Sequence, residues 1–173
     1  MRALRKGLDA LYFTCGLIAA LFLVLMLLII VAQMVARWTG YVFPGATSYA
    51  GYAMAAASFF ALAHALNRGA HIRVSLLLKA VGGYRRWAEL WCFAIGAFLA
   101  WFLARYAVKA VQWSWMLGDV SQGQDATPLW IPQLAMAAGS IVFAIAVTDH
   151  LVRIIFAGDH GIRAETVEQS HGE

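Results

Sequence analysis

Residues 10–36 read ALYFTCGLIAALFLVLMLLIIVAQMVA, a run of 27 positions without a charge. A helix needs about 20 apolar residues to cross the hydrocarbon core of a bilayer. A secretory signal has a shorter apolar region, about 7–15 residues, and then a small-residue cleavage site. Here bulky residues continue to the end of the run. The stretch therefore reads as an uncleaved first transmembrane helix over 11–35, preceded by the basic residues Arg2, Arg5 and Lys6.

Outward from this run the pattern repeats. Gly40, Pro44 and Gly45 interrupt it, with Thr47 or Ser48 as candidate helix cap. An uncharged stretch of 22 residues follows, Ala46 to Asn67. The segment from His71 to Val81 is too short and too charged to span, and it reads as a short interfacial helix between spans two and three. A third span starts near Trp87 and continues through Arg105 and Lys109 to Leu117. A fourth uncharged stretch runs for 23 residues from Ala126 to Thr148. Pro128 suits the first turn of the last helix, where a missing N–H costs nothing. The expected spans are 11–35, 49–66, 87–117 and 130–155. They make residues 1–157 a four-helix transmembrane domain, a small apolar bundle, and 158–173 a mobile cytoplasmic tail. The fold class is all-α integral membrane.

Composition agrees. Of 173 residues, 62% are hydrophobic and 13% charged, against about 45–50% and about 25% in ordinary soluble domains. That excludes a soluble enzyme, a disordered regulator and a nucleic-acid-binding module. The net charge of +4 belongs to the loops. Ten basic residues fall on one side of a four-span layout: Arg2, Arg5, Lys6, Arg68, Arg73, Lys79, Arg85, Arg86, Arg153 and Arg163. Arg37, Arg105 and Lys109 fall toward the other. By the positive-inside rule both termini are cytoplasmic. Trp38, Tyr41, Tyr49, Tyr52, Trp113, Trp115 and Trp130 form an outer aromatic belt, and Tyr12, Tyr84, Trp87 and Trp91 an inner one. Trp101 sits mid-span and is expected to face a helix or a partner. Cys15 and Cys92 lie singly in apolar runs and read as inert packing residues.

Catalytic chemistry is not expected. No glycine-rich phosphate loop and no His-Glu-x-x-His motif occurs, so the chain reads as a non-enzyme with no metal site and no cofactor. His64 and His150 could ligate a haem between helices of a bundle, which is the redox-subunit alternative. Asp149 and Arg153 have the spacing of an intrahelical ion pair. Arg105 and Lys109 share a helical face, as do Gln33 and Arg37. A charge at the bilayer centre costs about 2.5–3.5 kcal/mol on the insertion scale, which argues for Arg105 near one interface. A transporter holds its solute on broken helices and polar groups near the midplane. These spans have apolar centres and no polar stripe in spans one and two, which disfavours a self-sufficient channel or carrier. A small apolar bundle with nothing to bind is better explained as a partner of another membrane protein.

Two elements carry a family resemblance. One is Asn67-Arg68-Gly69-Ala70-His71-Ile72-Arg73-Val74. The other is the stretch from Ser114 to Pro132, with Gly118 and Thr127-Pro128-Leu129-Trp130-Ile131-Pro132. With the basic N-terminus and Arg37 at the end of span one, they resemble the small membrane subunit (DctQ-like) of the tripartite ATP-independent periplasmic, or TRAP, transporters, from about Leu8 to Ile155.

The resemblance implies a multi-pass protein of a bacterial inner membrane. Its partners would be a large membrane subunit, a periplasmic substrate-binding protein and bilayer lipids, with no nucleic acid. The large subunit would carry organic acids, such as C4-dicarboxylates, sialic acid or 2-oxo acids, by a sodium-driven elevator motion. The small subunit would brace it and help dock the binding protein. Interface contacts are expected at Arg37, Gly69, His71, Arg73, Arg105, Lys109, Pro128, Trp130 and Pro132. Three positions depart from the family pattern. Members often carry acids near the start of span two, where Thr47-Ser48-Tyr49-Ala50-Gly51-Tyr52 has none. Ser75 stands where an Asp is common, and Ala138 where a proline is. These departures bear on acidic contacts with the partners and leave the fold reading intact.

Overall fold

A computed structural model describes residues 2–67 and 85–157. The expected interfacial helix, the tail 158–173, and Gly69, His71 and Arg73 all lie outside the described residues. Within them the chain is four helices: α1 (Arg2–Trp38), α2 (Ala46–Asn67), α3 (Arg85–Leu117) and α4 (Trp130–Ala157). Each is long and apolar enough to cross a membrane. At about 1.5 Å per residue, α1 is about 55 Å long and α3 about 50 Å, well beyond a hydrocarbon core of about 30 Å. Both must tilt or project from the bilayer. Helix α1 starts at Arg2, so the basic N-terminal residues and the first span form one rod.

The helices pack as an open row, not a closed bundle. Helix α1 packs on α2, α2 on α4, and α4 on α3; α1 barely meets α4, and α1 and α3 do not pack on each other. In a closed bundle every helix has two full neighbours. Here α2 and α4 form the centre, and α1 and α3 each have one side uncovered. The outer faces are correspondingly apolar and exposed, with Leu17, Leu21, Leu27 and Leu28 on α1, and Ile95, Phe98 and Phe102 on α3.

Small residues make the close approaches. In α2 the buried positions include Ala46, Ala50, Ala53 and Ala57, a helical stripe of alanine. In α3 they are Ala97, Ala100 and Ala104, and α4 contributes Ala137, Ser140, Ala144 and Ala146. In lipid no hydrophobic force drives helices together, so association depends on close van der Waals contact, which small residues permit. Backbone meets backbone at Gly139 of α4, where an added Cβ would stand 2.7 Å from the Phe59 carbonyl carbon and 2.8 Å from its oxygen. The Ser140 hydroxyl is buried beside it and donates back to the Met136 carbonyl at 2.6 Å. Phe22 of α1 stacks on Phe60 of α2 with centroids 6.2 Å apart.

Several local expectations are corrected. Helix α2 starts at Ala46, directly after Gly45 in the left-handed region (φ 77°), and neither Thr47 nor Ser48 caps it. The Thr47 hydroxyl instead accepts from Gln33 Nε2 at 3.5 Å. Pro128 precedes helix α4 and pairs with Val120 in a bridge; Pro132 occupies the first helical turn, where its absent N–H has no intrahelical partner to lose. Tyr12 is fully buried in the core and so belongs to no aromatic belt, whereas Trp87 and Trp91 are exposed. Cys15 is buried, but Cys92 lies on the exposed surface of α3.

Candidate functional site

The most constructed part of the described molecule is the end that carries both short connections, 39–45 and 118–129. Gly118 ends α3 in the left-handed region (φ 65°), and the Asp119 N–H returns to the Ser114 carbonyl at 3.0 Å. The chain then folds on itself. The Ser121 N–H donates to the Thr127 carbonyl at 2.8 Å, and the Leu129 N–H to the Asp119 carbonyl at 3.0 Å. Trp115 and Trp130 close the base edge to face, with centroids 4.7 Å apart. The loop is thus a compact hairpin held between the ends of α3 and α4.

Asp125 ties this hairpin to α2. Its Oδ2 accepts from the Tyr52 hydroxyl at 3.0 Å, and its Oδ1 from the Ser121 hydroxyl at 3.0 Å. Ala126 takes up the resulting turn at a positive φ of 45°. Gly45 and Gly123 leave room for the contact. A Cβ on Gly45 would stand 2.7 Å from the Asp125 Cβ, and one on Gly123 would stand 2.5 Å from Asp125 Oδ1 and 2.7 Å from the Ser48 hydroxyl. Partial desolvation pulls the Asp125 carboxyl upward. Hydrogen bonds from Thr127, Tyr52, Ser121 and its own backbone outweigh that and hold it well below the usual carboxylate range. The start of span two, which has no acid in its own sequence, acquires one from a loop that follows it by 73 positions in the chain.

The expected contact residues separate into three places. Pro128, Trp130 and Pro132 belong to the hairpin and the first turn of α4, so the structure gathers them with Asp125 at one end. Arg37 lies at the same end in the last turn of α1, exposed, beside a cleft of about 240 Å³ lined by Ile30, Gln33, Met34 and Trp38. Arg105 and Lys109 are apart from both, exposed on α3, with the Lys109 ammonium 5.4 Å from the centre of the Tyr106 ring. Asp125 and Ser121 have no role in the sequence reading, and Tyr52 has one only in the aromatic belt. The available signal was a pair of glycines, Gly45 and Gly123, in the two connections that meet there.

The opposite end carries the histidines. His64 of α2 turns to α1: its Nδ1 lies 3.2 Å from the Tyr12 carbonyl oxygen, and its ring packs against Gly16. Because a carbonyl only accepts, Nδ1 carries the proton and donates. His150 of α4 is buried with its ring beside Phe93 of α3, centroids 6.1 Å apart. The two histidines therefore engage different flanking helices, which gives the haem alternative no support. Asp149 and Arg153 form the expected i, i+4 ion pair. Trp101 does face a helix: its Nε1 donates to the Thr148 hydroxyl of α4 at 3.1 Å. No group of three or more potential metal ligands occurs among the described residues.

Comparison with known families gives a match. The family model of the tripartite ATP-independent periplasmic transporters, DctQ component, matches residues 26–157. That range holds the last third of α1, both connections of the hairpin end, and all of α2, α3 and α4. No curated protein and no solved structure matches the chain.

Proposed function

The chain belongs to the DctQ family of tripartite ATP-independent periplasmic transporter components, and from that membership we propose that it is the small scaffold subunit of a sodium-driven importer of organic acids. The observation that carries the scaffold role is the open row of helices. A chain that buries little between its own helices, and leaves α1 and α3 apolar and uncovered, suits a wide brace beside a larger membrane protein. No helix is broken among the described residues, and no cluster of polar groups lines a span centre, so solute and sodium sites belong on the large subunit.

In this reading the termini are cytoplasmic and the hairpin end faces the periplasm, in keeping with the bias of basic residues toward the termini and the connection between spans two and three. The hairpin, pinned to α2 through Asp125, offers a rigid outer surface for the substrate-binding protein. Arg37, Pro128, Trp130 and Pro132 lie at that end. Gly69, His71 and Arg73 would act on the cytoplasmic side, against headgroups or the large subunit.

Reconstitution tests the proposal. The chain, the large membrane subunit and the binding protein are placed in proteoliposomes, and uptake of labelled dicarboxylates, sialic acid and 2-oxo acids is followed under an inward sodium gradient. Uptake that needs all three components is expected. Uptake by this chain alone, or full uptake without it, would remove the scaffold role.

A further inference from the structure

The depth of Arg105 follows from the register of α3 on α4. Trp115 packs on Trp130, Phe93 lies beside His150, and a Cβ on Gly96 would touch Val147 Cγ1 at 3.7 Å. These three pairs run antiparallel in one register, and they put Arg105 level with Gly139. Gly139 lies nine residues inside the apolar span of α4, which runs from Trp130 to Phe156. At about 1.5 Å per residue, Arg105 is about 14 Å from the nearer end of that span and farther from the other. That is deeper than the place near one interface expected from the sequence. Its neighbour Ala104 is buried against the row, while Arg105 itself points out of it.

The surface around it is distinctive. Phe98, Phe102 and Tyr106 form a ladder of rings one helical turn apart, with centroids 6.5 and 4.5 Å apart, and Lys109 sits over the last of them. Phe98, Phe102, Arg105 and Lys109 recur at the spacing of a helix-packing seam. Among the described residues Arg105 has no ion pair. Lipid tails cannot solvate a guanidinium, and the side chain falls well short of either boundary, so a charge at this depth marks a protein contact. A second copy of this chain cannot answer it. The chain's acidic residues are Asp9, Glu89, Asp119, Asp125 and Asp149, all toward helix ends or in the hairpin, and four more that follow α4 in sequence.

We infer that the Phe98–Phe102–Arg105–Lys109 face of α3 seats a transmembrane helix of the transporter's large membrane subunit, one that presents an ionised carboxylate to Arg105 at mid-membrane depth. The inference rests on the subunit reading above and adds the face and the chemistry of the contact. A carboxylate matches the planar guanidinium with two parallel hydrogen bonds, and the low dielectric of the bilayer strengthens the pair. The aromatic ladder supplies the apolar contact on either side. Lys109, one turn nearer the hairpin, adds to the positive field that selects an acidic partner.

The test uses the full transporter in native membranes. A photoreactive residue, p-benzoylphenylalanine, replaces Phe102 on α3 or, separately, Leu28 on the exposed face of α1. Crosslinking to the large subunit from position 102 and not from position 28 is expected. Arg105→Ala should lower recovery of the large subunit with this chain by at least about tenfold, and Arg105→Lys, which keeps the charge but not the two parallel hydrogen bonds, should fall between Ala and wild type. If wild-type chain retains the large subunit but position 102 reaches only lipid or a second copy, or if position 28 crosslinks instead, the docking face is wrong and the subunit reading stands. Unchanged recovery with Arg105→Ala would remove the carboxylate from the contact. Failure of the wild-type chain to retain the large subunit would overturn both.

Discussion

The Tyr52 hydroxyl donates to Asp125 Oδ2 at 3.0 Å and joins the second helix to the hairpin before the fourth. Loss of either partner should loosen the hairpin without disturbing the spans. Tyr52→Phe and Asp125→Asn are expected to speed protease cleavage between 118 and 129 several-fold, with unchanged helix content by circular dichroism. Equal cleavage in the variants and the wild type would show that the backbone bonds of the hairpin suffice.

The same contact has a pH dependence of known sign. The folded Asp125 carboxyl is held below its unfolded value, which lies near about 3.9. Its contribution to stability is therefore complete above that value and is lost as the pH falls through the folded one. Thermal unfolding in detergent should show no change from this group between about pH 5 and 8. Below about pH 4 the wild type should lose stability more steeply than Asp125→Asn, which lacks the ionisable group. Parallel acid limbs for the two proteins would contradict the assignment.

Gly139 and Gly96 separate close packing from ordinary contact. A methyl group at Gly139 meets the Phe59 backbone at 2.7–2.8 Å, so α2 and α4 must move apart. Overpacking of this kind costs about 1–3 kcal/mol, and Gly139→Ala should lower the midpoint of thermal unfolding clearly. At Gly96 the nearest atom would be 3.7 Å away, and Gly96→Ala should be tolerated. Similar midpoints for both variants would mean that the α2–α4 contact is looser than the structure has it.

Gly16 and His64 form a second, more forgiving contact. An added Cβ at Gly16 would stand 2.7 Å from His64 Cγ. Gly16→Ala is expected to destabilise the α1–α2 pair, and the penalty should largely vanish when His64→Ala is present. The double-mutant cycle measures this coupling, and strict additivity of the two changes would refute it.

Trp101 and Thr148 link α3 to α4 by one side-chain hydrogen bond of 3.1 Å. Such bonds within membranes average about 0.6 kcal/mol. Trp101→Phe and Thr148→Val should each lose about that amount and together lose little more. A loss several times larger in the cycle would mean that the pair is tied into a wider network.

How much of this was legible beforehand depends on the physics of each feature. Four spans could be read from runs such as Ala10–Ala36, because only a helix satisfies its own backbone in hydrocarbon and its length is set by the bilayer. Trp101 could be assigned a helix or a partner to face because it sits mid-span, away from both aromatic belts. The ion pair of Asp149 and Arg153 was legible from spacing alone. Asp125 was not, because its partners Tyr52 and Ser121 are chosen by the folding of two connections against each other, and no periodic pattern records that.

From the sequence itself came the number of apolar helices, the turn glycines and the resemblance that the family match then established. The order of the helices, α1–α2–α4–α3, was decided only in three dimensions, and with it which faces stay uncovered. In water a helix advertises its inner face by polarity. In a bilayer lipid and protein are equally apolar, so neighbours are selected by shape, through Gly139 against Phe59 and the alanine stripe of α2. The level of Arg105 beside Gly139 and its outward aim followed from that same packing, since a residue's level is set by the register between helices.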